Sequence, residues 1–238
     1  DWSSDVCSSD LSRTQKVDWY YEEISSFGGS TQIKIRGTDG VLIEGITKLI
    51  GAFNLDNLLM AVAIAVISGV DPIEISANLS SYFGAPGRLE QINVGQDFLA
   101  FVDYAHTPDA VTNVLTTARE MTNGKVIAVL GCGGDRDKSK RPLMGKALTA
   151  ADFPIFTSDN PRSEDPEVIL KEMVSGLTNA GEVIVDRRSA IARAVTLAKP
   201  GDVVAILGKG HELGQEISGQ VLPFDDRVEL AKAIEALS

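Results

Sequence analysis

The chain has 238 residues, 44% of them hydrophobic, a formal net charge of −11 and two cysteines. That length and apolar share can bury a full core, either one large domain or one domain joined to part of another. The acidic balance argues against nonspecific nucleic-acid binding, which needs basic surface to displace counterions from phosphates. Cys7 and Cys132 lack metal-ligand spacing and suit a reducing, cytoplasmic compartment. The apolar run 58–67 is too short to cross a bilayer, so no membrane partner is expected.

Residues 1–11 are rich in Ser and Asp and lack the basic and apolar stretches of a signal peptide. They read as a non-native, disordered leader, the translated scar of a sequencing adapter ahead of a truncated reading frame. From 19 to 46 the pattern alternates as strands do, with 32–36 and 41–43 joined through Gly37, Thr38, Asp39 and Gly40. A helix over 55–67 is apolar on most sides and therefore buried. Asp71 and Pro72 open a short helix that ends near 82–84, and Ala85, Pro86, Gly87 and Arg88 form a linker.

After Arg88 the character changes. Strands are expected at 89–94, 99–103, 126–131, 154–157, 183–185 and 203–207, with helices at 108–122, 144–151, 166–177, 189–198 and 227–237. Such alternation predicts stacked βα units: an α/β fold with a Rossmann-like, mostly parallel sheet.

In a parallel sheet the loops after the strands share one edge, where open α/β folds place their ligands. Four loops there carry polar residues: Asp103 to His106, the Gly-rich turn 131–136, Asp159-Asn160-Pro161-Arg162, and Gly208 to Glu212. Pro161 fixes a turn that sets the Arg162 guanidinium at the foot of a strand, where it can grip a carboxylate; a salt bridge to Glu164 or Asp165 is the alternative. The turn at 131–134 lacks the third glycine of a dinucleotide fingerprint, so its glycines are read as aiming Arg136 into the cleft, with Asp135 and Asp137 holding the fork. Arg136, Lys138, Lys140 and Arg141 concentrate cationic potential at that loop, or else form a solvated charge run. The Glu212 carboxylate can receive an ammonium, Asp103 can face a ribose or cap the helix at Pro108, and Cys132 reads as an inert small residue. The sequence offers no Ser-His-Asp order, zinc helix, paired-cysteine metal site or phosphate loop.

Five motifs in order, GRLEQ at 87–91, DYAHTPDA at 103–110, GCGGDRDKSKRPLMG at 131–145, DNPRSEDP at 159–166 and GKGHE at 208–212, resemble the Mur ligases of peptidoglycan assembly, in particular those adding meso-2,6-diaminopimelate. The likeness runs from about Thr31 to the C-terminus. It implies that 12–86 is a remnant of the α/β ATP-binding central domain and 87–238 the C-terminal amino-acid-binding domain. It further implies that Arg136, Asp159, Asn160, Pro161, Arg162, Gly208 and Glu212 bind diaminopimelate, and that Asn54, Asn57, Arg88, Asp103 and His106 face ATP. Helix capping is the alternative for the two asparagines. The family's phosphate loop, carbamylated lysine and metal ligands have no match, so Mg is expected to be held elsewhere and the chain alone is not expected to ligate. A cytoplasmic monomer acting on ATP, UDP-MurNAc-dipeptide and diaminopimelate is expected. Rivals are a sister ligase adding L-lysine, since Arg162 favours an amino acid with a second carboxylate, a noncatalytic amino-acid-binding module, and, more distantly, a dinucleotide oxidoreductase.

Overall fold

The computed structural model describes residues 10–27 and 29–237. Contacts divide the chain into a first compact unit that ends at Gly84 and a second that begins at Ala85. The leader expected over 1–11 lies outside the described residues except at Asp10 and Leu11. There the expectation of disorder is corrected, because β1 (Leu11–Ser12) pairs in parallel with β2 (Trp19–Phe27). The pairing satisfies backbone groups that an open sheet edge would leave to solvent.

In the first unit, β2 forms a hairpin with β3 (Ser30–Arg36), which pairs antiparallel with β4 (Leu42–Thr47). The expected hairpin at 37–40 is present, and its turn is a single 3-10 turn. One face of the sheet is apolar: Trp19, Tyr21, Ile33, Ile35 and Ile43 pack with Leu55, Leu58, Leu59 and Val62 of α1 (Ala52–Ile67). The Tyr21 hydroxyl also donates to the Leu55 carbonyl at 2.7 Å, pinning β2 to the helix. A second helix, α2 (Pro72–Asn78), starts where Asp71 Oδ1 accepts the Ile73 amide.

The second unit holds a six-stranded sheet of β5 (Glu90–Gln91), β6 (Leu99–Asp103), β10 (Val203–Leu207), β7 (Val126–Leu130), β8 (Phe153–Phe156) and β9 (Glu182–Val183), in that spatial order. All neighbours are parallel except β5, which is antiparallel to β6 and far shorter than the strand expected over 89–94. Leu89 has φ 44°, which breaks the extended run ahead of it. Every residue of β7 and β10 is buried, as strands covered on both faces require. On one face lie α6 (Arg187–Leu197) and α7 (Asp226–Glu235), whose Ala190, Ile191, Ala194, Leu230 and Ile234 pack on Val102, Val129, Val204 and Ile206. The remaining helices are α3 (Pro108–Glu120), α4 (Lys140–Leu148) and α5 (Pro166–Met173); α3 packs on β7 and β10, α4 on α3, and α5 on α4. α4 begins four residues before the expected 144, its chain drawn in by buried Arg141.

One element was not foreseen. β11 (Gly214–Ile217) and β12 (Gln220–Pro223) form an antiparallel hairpin, hidden in sequence because its residues are polar or exposed and bury no alternating face. Among the described residues no helix is long and apolar enough to cross a membrane.

Gly145 in α4 faces α5 so closely that an added Cβ would overlap the Met173 carbonyl. Gly145→Ala is therefore expected to destabilise the second unit by about 1–3 kcal/mol, the usual cost of overpacking, read as a lower urea midpoint with an unchanged slope.

Candidate functional site

Strand register sets the site. Leu207 of β10 stands level with Asp103 of β6 and Leu130 of β7, and Leu130 is level with Phe156 of β8. The four loops that follow therefore leave from one edge of the sheet, the edge at which side chains from separate strands can meet.

The Gly-rich loop and the loop at 157–165 are clamped together. Gly134 donates to the Asn160 carbonyl at 2.8 Å, Asp135 donates to Glu164, and Ser163 bonds to the Asp135 carboxylate. An added Cβ at Gly134 would overlap the Pro161 carbonyl, so the close approach excludes any other residue. Beneath the clamp, buried Arg141 reaches Glu164 at 2.7 Å and Glu172 at 2.6 Å, and Lys138 adds a contact to Glu164 at 2.9 Å. These cations, Arg141 foremost, with Lys138 and the Asp135 amide, hold the Glu164 carboxyl well below the ordinary carboxylate range.

Two expectations are thereby corrected. Much of the basic patch is not free cationic potential, because Arg141 and Lys138 are neutralised within the clamp. Nor do Asp135 and Asp137 hold the Arg136 fork: Asp135 takes Ser163, Asp137 takes Ser139, and Arg136 Nη1 donates instead to the Asp135 carbonyl at 3.2 Å.

Arg162 adopts φ 52°, a left-handed conformation that a non-glycine residue rarely takes. Its neighbours enforce it: Arg162 N donates to the Glu216 carbonyl and its own carbonyl accepts from Ser218, so the residue is bridged to β11. The guanidinium donates from Nη1 to Gly134 O at 2.7 Å and meets Glu216 Oε2 at 3.1 Å through Nε. The pairing with Glu164 or Asp165 considered from the sequence is not formed; Glu216, on the unforeseen hairpin, takes that place. Gly133 lies between the two arginines, since a Cβ there would stand 2.9 Å from Arg162 Nη1 and 3.7 Å from Arg136 Cγ.

Where the loops at 159–162 and 208–212 meet lies a buried charge network. Lys209, fully buried, donates to Asn160 Oδ1 at 2.9 Å and Glu212 Oε2 at 3.0 Å, and Asn160 Nδ2 donates to the same Glu212 oxygen at 2.8 Å. Burial works to raise the Glu212 carboxyl, but Lys209 and Asn160 outweigh it and hold it below its usual range. Asp159 is buried beside them, and loss of hydration pushes its carboxyl up against the pull of Arg187 and Lys209. Gly208, at φ 112°, leaves room for it, since an added Cβ would sit 2.8 Å from Asp159 Oδ2. Cys132 is buried and its thiol is pushed up to about 12, first by burial and then by Asp159, so it is inert as a nucleophile.

Further along the edge, Asp103 accepts the amides of Leu89 and Ala105 at 2.8 Å each. Burial raises its carboxyl despite those donors. It does not cap α3; Thr107 does. Tyr104 is ringed by the Arg88 guanidinium at 5.1 Å and the imidazoles of His106 and His211 at 4.6 and 5.5 Å. In the first unit, Asn54 donates to the Ile50 carbonyl at 3.0 Å and Asn57 is exposed on α1, so neither supplies the N-cap, which is Gly51.

Thus Arg136, Asp159, Asn160, Pro161, Arg162, Gly208 and Glu212 stand on three adjoining loops, and Arg88, Asp103 and His106 gather on the same edge. Sequence reasoning missed Lys209, Glu216, Arg187 and Asp226. The first was in plain view inside a quoted motif; its apolar surroundings come from distant strands and leave no local mark.

Comparison with known proteins gives the family. The family described as "Mur ligase, glutamate ligase domain" matches residues 87–210. The UDP-N-acetylmuramoyl-L-alanyl-D-glutamate--2,6-diaminopimelate ligase of Syntrophomonas wolfei is 51% identical over 76% of this chain and 38% of its own length. Its namesake in Streptomyces coelicolor is 46% identical over 92% of this chain and 45% of its own. A solved structure of a ligase of that name superposes with TM-score 0.72 at 40% identity, covering 95% of this chain and 47% of that one. The chain therefore spans less than half the length of these relatives.

Glu164 yields a pH prediction. Because its carboxyl lies below the ordinary 4.5 when folded, the stability it contributes is full above that pH and is lost as pH falls toward the depressed folded value. Wild type should exceed Glu164→Gln in unfolding midpoint at pH 6–7, and the gap should close steadily below roughly pH 4.5.

Proposed function

Because the chain belongs to the Mur ligase family through its glutamate ligase domain, we propose that it serves in an ATP-dependent ligase that adds meso-2,6-diaminopimelate to UDP-N-acetylmuramoyl-L-alanyl-D-glutamate, and that the crevice at 131–136, 159–162 and 208–212 seats the diaminopimelate. The observation that carries this reading is the placement of Arg162 and Glu212, a cation and an anion on neighbouring loops joined through Asn160 and Lys209. Diaminopimelate ends in a carboxylate and an ammonium on one carbon. Arg162 and Glu212 offer the complementary pair to the end remote from the attacking amine, where diaminopimelate carries both groups and lysine carries only an ammonium.

The charge of the network supports the ammonium seat. Glu212, held below its usual range by Lys209 and Asn160 against the effect of burial, is the anion that an incoming ammonium would meet. Asn160 is held by Lys209 and by the Glu216 amide at 2.9 Å, which fixes its Nδ2 donor toward Glu212. Pro161 fixes the turn, Gly208 gives backbone access, and Arg136, exposed beside Gly133, is assigned to the amino acid's other carboxylate.

In the reaction the acceptor's γ-carboxylate takes a phosphoryl group from ATP to give an acyl phosphate and ADP. The amine of diaminopimelate then attacks the acyl carbon, the amide forms, and inorganic phosphate leaves with the bond electrons while the amine loses a proton. This chain's contribution is orientation of the amine, a large part of the barrier in a two-substrate step. Arg88, Asp103 and His106, gathered at Tyr104, are assigned to ATP. Among the described residues no group of three or more His, Cys, Asp or Glu side chains is arranged to hold a metal ion. A cytoplasmic setting accords with the buried, unpaired Cys132.

Calorimetric titration of the chain with meso-diaminopimelate and L-lysine tests the assignment. Removing a charge-assisted pair costs about 1.5–3 kcal/mol, so Arg162→Ala should weaken diaminopimelate by roughly ten- to a hundredfold and leave lysine unchanged. Arg162→Lys should recover little, since an ammonium cannot form the bidentate fork. Equal binding of the two amino acids by wild type, or undiminished diaminopimelate binding by Arg162→Ala, would defeat it.

A further inference from the structure

Arg162 is already engaged by a carboxylate of its own chain. Of its five N–H groups, one on Nη1 goes to the Gly134 carbonyl at 2.7 Å, and Nε faces Glu216 Oε2 at 3.1 Å. The pair lies at the rim of the crevice, the two side chains 21% and 39% exposed. A guanidinium holds a carboxylate best through two parallel N–H groups along one edge. Glu216 stands at the Nε end of the Nε–Nη2 edge, and the Nη1–Nη2 edge already shares Nη1 with Gly134.

Glu216 is not needed to aim Arg162. Two backbone hydrogen bonds, Arg162 N to Glu216 O at 3.0 Å and Ser218 N to Arg162 O at 2.7 Å, fix the residue against β11, and Gly134 holds the guanidinium. Substituting the Glu216 side chain leaves all of these in place. What the carboxylate adds is charge, set where a ligand anion would come.

We propose that Glu216 is an internal stand-in for the ligand's carboxylate: it pairs with Arg162 while the crevice is empty, gives way on binding, and selects for ligands whose carboxylate is accompanied by an ammonium. This rests on the reading of the crevice as the diaminopimelate seat. A ligand end carrying only a carboxylate takes Arg162 but strands Glu216 beside a like charge. An end carrying both groups compensates each partner of the broken pair, its carboxylate going to Arg162 and its ammonium lying among Glu212 and Glu216. Specificity of this kind comes from a repulsive element against the wrong ligand as much as from attraction to the right one.

The test compares meso-diaminopimelate with 2-aminopimelate, the same carbon chain with hydrogen in place of the distal amine, by calorimetry on the full chain in wild type, Glu216→Gln and Arg162→Ala. Glu216→Gln should tighten 2-aminopimelate about tenfold while changing diaminopimelate by less than threefold, narrowing the selectivity ratio. In the absence of ligand the Arg162 Nε–H resonance should shift in Glu216→Gln, and in wild type it should shift when diaminopimelate is added. An unchanged ratio with Arg162→Ala binding neither ligand would overturn the role of Glu216 alone. If Arg162→Ala binds both as wild type does, or wild type binds neither, the seat itself is wrong and this proposal falls with it.

Discussion

The candidate site depends on a guanidinium that reaches neither solvent nor ligand. Arg187, fully buried at the start of α6, spans Asp226 with two hydrogen bonds of 2.7 Å, donates to the Leu207 carbonyl at 2.9 Å and reaches the Ser158 carbonyl at 3.4 Å. It thus ties the last residue of the central strand, the loop after β8 and the first turn of α7 to one planar group. A buried ion pair is weak evidence of net stability, because desolvation offsets much of the attraction, but removing one partner strands a charge at a cost of about 3–5 kcal/mol. The carbonyls that Arg187 holds belong to the residues just before Gly208 and Asp159. The loops that form the crevice are therefore fixed at their roots, whatever happens at their tips.

The chain's acidity looks at odds with the carboxylate ligand proposed for this edge, and local pairing reconciles the two. Basic residues near the edge are largely matched by acids: Arg141 and Lys138 by Glu164, Lys209 by Glu212, Arg162 by Glu216. Such matching places opposite charges within one side-chain length of each other, which suits a zwitterion and disfavours a simple anion. Net charge governs solubility and long-range steering; pair geometry governs recognition.

The parallel sheet and its helices were legible because β6, β7 and β10 are continuous apolar runs and because Asp165 and Thr107, each followed by proline, mark helix starts. The resemblance that gathered the loops worked because their motifs are long and ordered, and the level register of the strands explains why separated motifs meet. What stayed hidden has a common cause. The hairpin at 214–223 carries few buried side chains, so its sequence shows no period, yet its backbone forces Arg162 into positive φ. Lys209 lies between two glycines, with no apolar side chain directly beside it in sequence, yet it is encased in the fold. The expected supports of Arg136, Asp135 and Asp137, turn instead to serines close by, a local hydrogen-bonding choice that outcompetes a longer reach.

Gly87 and Gly210 touch main chain to main chain. An added Cβ at Gly87 would overlap the His211 amide, one at Gly210 would come within 2.7 Å of Tyr104 Cβ, and the Tyr104 amide donates to the Gly87 carbonyl at 2.8 Å. The segment that enters the second unit, the ring cluster around Tyr104 and the loop bearing Glu212 are thereby stacked with no compressible side chain between them. Any side chain at either glycine would have to push these segments apart, so the spacing between the ring cluster and the Glu212 loop is set by a pair of residues that offer no functional group at all.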